Sequence, residues 1–318
     1  MPRKIGLLFA GQGAQCVGMG KDLVQEFPVA AETFKRADAI LGRKLSETTW
    51  NGPLDELTKT SNCQSALFVH GLAALAVLRD LAGDLFIEAA AGLSLGELTA
   101  HAAAGTFDFE SGLRLVQKRG TLMEEACAAT EGAMVALIGA DENSARSLAA
   151  AADVDVANIN SPGQIVLSGE RAKIEAAASL AKEFAIRRAT MLNVAGAYHS
   201  RLMESAYRQF GAALLETQMQ LPRFTVVSNV TGGAVTTLPD IRQTLQEQIT
   251  GTVRWVDCME GMLARGCDLF IELGPGGVLA GLLGRTRKGV AVISISDVAA
   301  ARACAAQLQR VALPGEIV

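Results

Sequence analysis

The stretch AGLSLGE, residues 91–97, contains a G-x-S-x-G box centred on Ser94. The apolar segment LFIEAAA precedes this box, and the helical pattern ELTAHAAAG follows it. A serine box between a buried strand and a helix is typical of a nucleophile elbow, where a sharp turn presents the serine hydroxyl. The box alone is only moderately specific, because glycine-rich strand–helix junctions also arise by chance. The stretch nevertheless predicts an α/β fold with Ser94 at the end of a strand.

Strand and helix patterns alternate on both sides of the box. IGLLF near the N-terminus predicts a first buried strand, and FTVVSNV, CDLFIELGPGG and VAVISI predict strands in the second half. Helical patterns cover about 30–41, 64–81, 95–104, 109–127, 200–216, 238–249 and 255–265, with a last helix after VAVISI. This alternation predicts a mostly parallel sheet covered by helices.

The middle of the chain has a different order of elements. GAMVALIGA, VDVANIN, QIVLSG and IRRATML indicate strands, and the two helical patterns DENSARSLAAAA and ERAKIEAAASLAKEFA lie among them. Ser161-Pro162-Gly163 is a turn signal between the second and third strands. The order β-α-β-β-α-β is that of a ferredoxin-like unit. We therefore expect a ferredoxin-like insert at 129–196 within a larger subdomain formed by 1–128 and 197–318.

Composition and charge argue against several classes of protein. Half of the 318 residues are hydrophobic and the net charge is -4 without a basic stripe, so a nucleic-acid binder is not indicated. Six scattered cysteines without a C-x-x-C pair, and only three histidines, argue against a zinc site and favour reduced thiols in a cytoplasm. No signal peptide is recognised, and no run of ~18 apolar residues predicts a membrane span.

A serine nucleophile needs a base, and the chain offers three histidines. His101 follows Ser94 by seven residues on one predicted helix, roughly 10 Å along the axis and too far for a hydrogen bond. His70 lies in the apolar helix LFVHGLAAL, where a core histidine with a local partner is expected. His199 lies in the glycine-containing loop NVAGAYHS and is the favoured base, the alternative being a surface histidine at a helix N-terminus. The backbone N–H groups in the first turn after the serine, beginning with that of Leu95, could bind an oxyanion.

Arg119 lies on neither face of its predicted helix, FESGLRLVQKRGTLMEEACAA. Its helical neighbours Leu115 and Leu122 are apolar, and a buried guanidinium needs an anion. An ion pair with Glu97 or Glu272 is one possibility, and a fork for a substrate carboxylate is the other. The apolar stripe of the same helix is Phe109, Leu113, Val116, Gly120, Met123 and Cys127, and the polar stripe is Arg114, Lys118, Thr121 and Glu125.

Ordered motifs along nearly the whole chain resemble the malonyl-CoA:acyl carrier protein transacylase family. These motifs are FAGQGAQ, TSNCQSALF, AGLSLGE, QKRGTLM, NINSPGQIVLSG, GAYHS, VRW and ELGPGGVL. Their occurrence in the same order is far more specific than any one of them. The resemblance implies an α/β-hydrolase-like fold with a ferredoxin-like insert and an acyl transfer activity.

The resemblance also implies roles for individual residues. Ser94 would be the nucleophile and His199 the base. The backbone N–H groups of Gln12 and Leu95 would form the oxyanion hole, and the backbone carbonyl of Gln248 would orient the histidine.

Further residues are expected around the substrate. Arg119 would bind the free carboxylate of a malonyl group, and Tyr198 would help to exclude branched acyl groups. The residues expected to line the pocket are Gln64, Asn160, Tyr198, Leu93 and Met123.

The sequence departs from the family pattern at several places. Leu93 stands where histidine usually precedes the serine, Ala10 where proline is usual and Gly277 where lysine is common. The TGT before VRW lacks the usual proline. None of these changes removes a group that the chemistry requires.

The activity implied is transfer of a malonyl group from malonyl-CoA to acyl carrier protein through a malonyl-serine, without metal or redox cofactor. A cytoplasmic monomer is expected. A serine hydrolase acting on acyl thioesters or esters is the alternative, and a non-catalytic binding protein is a more distant one. Acyl carrier proteins are acidic, so the candidates for a docking patch are Arg187, Arg188, Arg285, Arg287 and Lys288.

Overall fold

The computed structural model describes residues 3–312. Within them the strands are β1 (Ile5–Phe9), β2 (Ile87–Gly92), β3 (Gly132–Ala140), β4 (Asp155–Ser161), β5 (Gly163–Glu170), β6 (Arg188–Met191), β7 (Thr225–Val226), β8 (Leu269–Leu273) and β9 (Ala291–Ile295). The helices are α1 (Lys21–Glu26), α2 (Pro28–Leu41), α3 (Leu45–Asn51), α4 (Leu54–Thr58), α5 (Thr60–Ala82), α6 (Leu95–Ala104), α7 (Phe109–Ala128), α8 (Glu142–Ala152), α9 (Arg171–Leu180), α10 (Glu204–Glu216), α11 (Leu238–Glu247), α12 (Trp255–Ala264), α13 (Val278–Thr286) and α14 (Val298–Ala312).

The larger sheet is parallel and has the strand order β7-β2-β1-β8-β9. Every residue of β1 and β8 is buried, as expected for central strands that helices cover on both faces. Because parallel strands end at the same edge of a sheet, the segments that follow β1 and β2 meet there. The predicted parallel α/β architecture is confirmed.

The smaller sheet is antiparallel and has the strand order β4-β5-β3-β6. Its strands alternate with α8 and α9 in the predicted order, and one hydrophobic cluster joins the sheet to both helices. A small antiparallel subdomain is therefore confirmed, while the exact limits 129–196 remain a prediction.

Helix α5 crosses the core of the larger subdomain. It is long and apolar enough to cross a membrane by composition alone, but 67% of its most apolar window is buried inside the fold. It packs against α2, α7 and α14, as the core helix of a folded domain does.

Some elements differ from the sequence prediction. The helices α1, α3, α4 and α13 were not predicted, because the first three are short and α13 follows directly on a glycine turn. FTVVSNV was predicted as a strand, but only Thr225–Val226 belong to β7. The chain turns at Ser228, whose N–H donates to the carbonyl of Gly233.

Candidate active site

Ser94 occupies a strained turn between β2 and α6. Its φ of 52° lies in the left-handed region, which a residue other than glycine rarely adopts. The flanking glycines permit the turn: a Cβ at Gly92 would lie 1.9 Å from the carbonyl carbon of Gly96, and a Cβ at Gly96 would lie 2.2 Å from the carbonyl oxygen of Phe9. Asn229 fixes the turn by accepting from Ser94 N–H at 2.7 Å and donating to the Gly92 carbonyl at 2.9 Å. The geometry is that of the predicted elbow.

His199 reaches the serine from the loop before α10. Its Nε2 lies 2.8 Å from Ser94 Oγ, and its Nδ1 lies 2.7 Å from the backbone carbonyl of Gln248. A carbonyl oxygen can only accept, so Nδ1 carries the proton and Nε2 is free to accept from the hydroxyl. Burial, together with the Arg119 charge, lowers the pKa of His199 to about 4. The imidazole is therefore neutral near pH 7 and competent to act as a base.

Arg119 lies fully buried beneath the serine. Its Nη2 donates to Ser94 Oγ at 3.0 Å and to Gln248 Oε1 at 2.8 Å, while Nη1 donates to Gln64 Oε1 at 2.8 Å. Burial lowers its pKa to about 10, so it remains a cation at neutral pH. Among the described residues no carboxylate forms an ion pair with Arg119, and Glu272 instead accepts from N–H groups at the start of α13. Neutral oxygens thus accept from Nη1 and Nη2, while Nε has no hydrogen-bond partner among the described residues, so the buried cation is paired directly with no anion.

Gln248 connects the histidine, the arginine and a buried acid. Its backbone carbonyl accepts from His199, and its side-chain Oε1 accepts from Arg119. Its Nε2 donates to Glu97 Oε2 at 2.6 Å and to the Ser94 carbonyl at 3.0 Å. Burial raises the pKa of Glu97 to about 7, against the effect of its hydrogen bonds and of Arg119. The resemblance indicated the backbone of Gln248, but its side-chain role had no sequence signal.

The backbone N–H groups of Gln12 and Leu95, which are predicted to form the oxyanion hole, lie at one edge of the larger sheet. Gln12 follows β1 and Leu95 is the first residue of α6, so both come from the same edge of the sheet. Within the described part of the chain neither N–H makes a hydrogen bond, as is usual for the first residue of a helix. The side chain of Gln12 donates to Tyr198 Oη at 3.3 Å.

A cavity of about 390 Å³ opens above Ser94 and His199. All five predicted pocket residues line it, as does Gln12, whereas Arg119, Gln248 and Leu95 are not among the lining residues. Tyr198 is buried and its hydroxyl bonds Thr60 Oγ1 at 2.6 Å. The residues that line the cavity but were not predicted include Thr58, Asn158, Val166 and 192–195. No local motif predicts that these residues line the cavity, because this depends on how the insert packs against the larger subdomain.

The other two histidines lie apart from the serine. His101 is buried and its Nδ1 lies 2.9 Å from Thr106 Oγ1. His70 is also buried, but neither ring nitrogen has a partner among the described residues, so the expected local hydrogen bond is not present. All six cysteines are free thiols, and only Cys16 is exposed. In residues 3–312 no group of three His, Cys, Asp or Glu side chains could hold a metal ion.

The chain is similar to known acyl transferases over almost its whole length. The acyl transferase domain model matches residues 7–310. A malonyl CoA-acyl carrier protein transacylase of Bacillus subtilis (strain 168) is 38% identical over 299 residues, which cover 92% of this chain and 94% of that protein. The crystal structure of an acyl-carrier-protein-S-malonyltransferase from Bartonella henselae superposes with a TM-score of 0.92, at 35% identity, over 96% of this chain and 99% of that one.

A further solved structure contains a type II PKS acyl-carrier protein in complex with its malonyl-transacylase. It superposes with a TM-score of 0.91 at 34% identity, over 96% of this chain and 99% of that one. These likenesses extend over almost the whole chain, insert included. The chain therefore belongs to the acyl transferase domain family, and within it to the malonyl-CoA–acyl carrier protein transacylases.

Proposed function

We propose that this protein transfers a malonyl group from malonyl-CoA to the phosphopantetheine thiol of acyl carrier protein, through a malonyl ester of Ser94. The observation that carries the proposal is the pair of contacts to one oxygen. Ser94 Oγ is 2.8 Å from a neutral imidazole nitrogen and 3.0 Å from a buried guanidinium. A base beside the nucleophile and a cation beside the acyl position suit a carboxylated acyl group.

In the first half-reaction His199 Nε2 takes the hydroxyl proton as Ser94 Oγ attacks the thioester carbonyl. The backbone N–H groups of Gln12 and Leu95 stabilise the negative charge that develops on the carbonyl oxygen. The C–S bond then breaks, and the proton on His199 passes to the sulfur of coenzyme A. The second half-reaction reverses these steps, with the phosphopantetheine thiol attacking the malonyl-serine.

The position of Arg119 favours a malonyl substrate over one with an uncharged acyl group. Its guanidinium already contacts the nucleophile oxygen, so a carboxylate on the acyl chain would lie within reach of its N–H groups. This also argues against the serine hydrolase alternative for uncharged acyl chains, since a buried cation has no use in an apolar acyl pocket. The complex with a type II PKS acyl-carrier protein supports polyketide supply, and fatty-acid supply is the other pathway that the family resemblance implies.

Several finer statements belong to the same proposal. The reaction as written needs no metal and no redox cofactor, because each step only moves a proton and an acyl group. We propose a monomer that works in the cytoplasm with malonyl-CoA and acyl carrier protein as partners. We also propose that the chain divides at 128/129 and 196/197 into the larger subdomain and the ferredoxin-like insert.

The decisive experiment is to locate the acyl group. Wild-type protein incubated with malonyl-CoA should gain one malonyl group, and peptide mass spectrometry should find it on Ser94. Ser94→Ala should gain none and retain its fold. Ser65→Ala is a matched control, because Ser65 is a buried serine on the neighbouring helix α5. Uptake of one malonyl group by Ser94→Ala would show that the nucleophile is misassigned, and rapid release of malonate to water without transfer would favour the hydrolase.

A further inference from the structure

Glu97 is a buried acid for which the reaction scheme has no use. It lies in the first turn of α6, three residues after the nucleophile, and is fully buried. Its Oε2 accepts from Asn229 N–H at 3.0 Å and from Gln248 Nε2 at 2.6 Å. Its Oε1 has no hydrogen-bond partner among the described residues. One oxygen of the carboxyl group can therefore bind a proton without breaking an existing hydrogen bond.

The carboxamide of Gln248 links this acid to Arg119. Its Nε2 donates to Glu97, while its Oε1 accepts from Arg119 Nη2 at 2.8 Å. Because a carboxylate only accepts and a guanidinium only donates, this amide has a single favourable orientation between them. The negative charge of Glu97 also opposes the lowering of the Arg119 pKa by burial. In the ligand-free site the two groups are therefore each other's counter-charge, one amide apart.

We infer that Glu97 takes up a proton from solvent when the malonyl group is loaded, so that the malonyl carboxylate replaces it as the counter-charge of Arg119. This inference rests on the function proposed above. Two carboxylates beside one buried guanidinium would leave an uncompensated negative charge, and one of two such like charges is normally neutralised by a proton. The malonyl carboxylate would receive the guanidinium N–H groups directly, whereas Glu97 reaches them only through an amide. Glu97 is thus the weaker partner and takes the proton.

The ligand-free protein already favours this protonation. Burial raises the pKa of Glu97 to about 7, so a second negative charge nearby raises it from a value near the physiological range. His70 lies on α5, which packs against α6, and His101 lies on α6, the helix that carries Glu97. Burial lowers their pKa values to about 4 and about 3, so neither titrates where Glu97 does.

The remaining titratable groups around Glu97 do not replace it as the proton acceptor. Arg119 on α7 is the cation just described. Cys258 on α12 lies near Glu97, and burial raises the pKa of its thiol well above the ordinary value, so it stays protonated. His199 lies on the other side of Gln248, and its pKa of about 4 keeps it neutral. Glu97 is the group that titrates near pH 7.

The acylation chemistry itself exchanges no proton with solvent below the pKa of the coenzyme A thiol. The Ser94 Oγ–C bond forms, the C–S bond breaks, and the hydroxyl proton travels by way of His199 to the leaving sulfur. Net proton uptake during loading therefore reports an ionisable group of the protein. Acetyl-CoA makes and breaks the same bonds but brings no carboxylate.

The test is proton uptake during a single turnover, followed with a pH-indicator dye in weakly buffered solution, with the acyl-enzyme counted by intact mass. At pH 8 about nine-tenths of Glu97 is ionised in the free enzyme, so uptake should approach one proton per malonyl-enzyme. At pH 6 uptake should fall to about one-tenth of a proton per malonyl-enzyme. Above pH 7 the equilibrium constant for malonyl loading should rise, by up to tenfold, for each unit by which the pH is lowered. Acetyl-CoA, at matched amounts of acyl-enzyme, should give no uptake.

Glu97→Gln keeps the shape of the side chain and removes its titration. It should load malonyl without proton uptake and with an equilibrium that does not change with pH. Malonyl-enzyme formed by the wild type without proton uptake, or uptake that persists in Glu97→Gln, would overturn the inference. Should the variant fail to fold, a flat pH dependence of the wild-type loading equilibrium would overturn it equally. A wild type that never forms malonyl-enzyme would instead refute the proposed function, and this inference with it.

Discussion

Replacing Arg119 by alanine separates a substrate-binding arginine from a structural one. The guanidinium is fully buried and donates to three neutral oxygens, those of Gln64, Gln248 and Ser94. Its removal would leave these acceptors short of a donor in both the free and the acylated enzyme. That cost falls equally on every substrate. The loss of a carboxylate contact falls on malonyl-CoA alone.

The size of the selective effect follows from the kind of contact that is lost. A hydrogen bond to a charged group contributes about 1.5–3 kcal/mol. Since 1.4 kcal/mol is tenfold, the ratio of malonyl to acetyl loading rates should fall roughly 10- to 150-fold in Arg119→Ala. Acetyl loading should lose nothing through this contact, because acetyl-CoA carries no carboxylate. Arg119→Lys keeps the charge but not the two-pronged geometry, so its ratio should lie between those of the wild type and the alanine variant.

The assay is the rate of acyl-enzyme formation with each coenzyme A ester, measured by quenched intact mass. It should be run near pH 7, far above the His199 pKa of about 4, so that removal of the neighbouring cation does not change the protonation of the base. Melting curves identify variants that have merely lost stability. Equal losses for both substrates in a variant of normal stability would refute the carboxylate fork, and with it the main argument for a malonyl substrate.

Three further outcomes are expected. Tyr198→Ser should raise the use of methylmalonyl-CoA relative to malonyl-CoA, whereas Tyr198→Phe, which keeps the bulk, should leave the ratio unchanged; equal ratios in both variants would contradict the steric role. Reversing Arg187 and Arg285, both exposed, to glutamate should raise the KM for acyl carrier protein without changing malonyl loading, and a parallel fall in loading would count against docking. The kcat/KM for malonyl-CoA should fall as the pH drops through about 4, because His199 must be neutral to accept the proton. Acid unfolding of Ser94→Ala, which does not load malonyl, with a midpoint at the same pH would show that the fall reflects unfolding instead.

The fold was predictable because its elements carry strong local signals. β1 is a run of five apolar residues, and α6 begins inside the glycine box, directly after Ser94, so both were predicted within a residue. The short helices α3 and α4 were missed, since stretches of seven and five residues are too short to show a helical period. Strand β7 was overestimated because its β-branched residues continue past the point where the chain turns away from β2.

The site was predictable where one residue type is required at one place. Arg119 belongs to neither face of its helix and has apolar helical neighbours, and His199 lies in a glycine-containing loop, so each could be singled out from the sequence. Asn229 could not, because it fixes the Ser94 turn from the end of a different strand, and the link between Gln248 and Glu97 is equally non-local. Such contacts join residues more than a hundred positions apart, and only the assembled sheet brings them together.

The pKa of His199 should depend on the bound acyl group, because a neutral carbonyl and not a carboxylate orients its imidazole. In a Ser-His-Asp triad a carboxylate stabilises the imidazolium. Here Gln248 offers only a backbone carbonyl, and the Arg119 charge further lowers the pKa of His199. At the pH of the acid limb, far below the Glu97 pKa of about 7, Glu97 is already neutral, so a malonyl carboxylate bound to Arg119 would cancel much of that charge and make His199 a stronger base. We therefore expect the acid limb of kcat, which reports the substrate complex, to lie at higher pH than that of kcat/KM. By this argument Arg119 selects malonyl in binding and again in the proton transfer that activates Ser94.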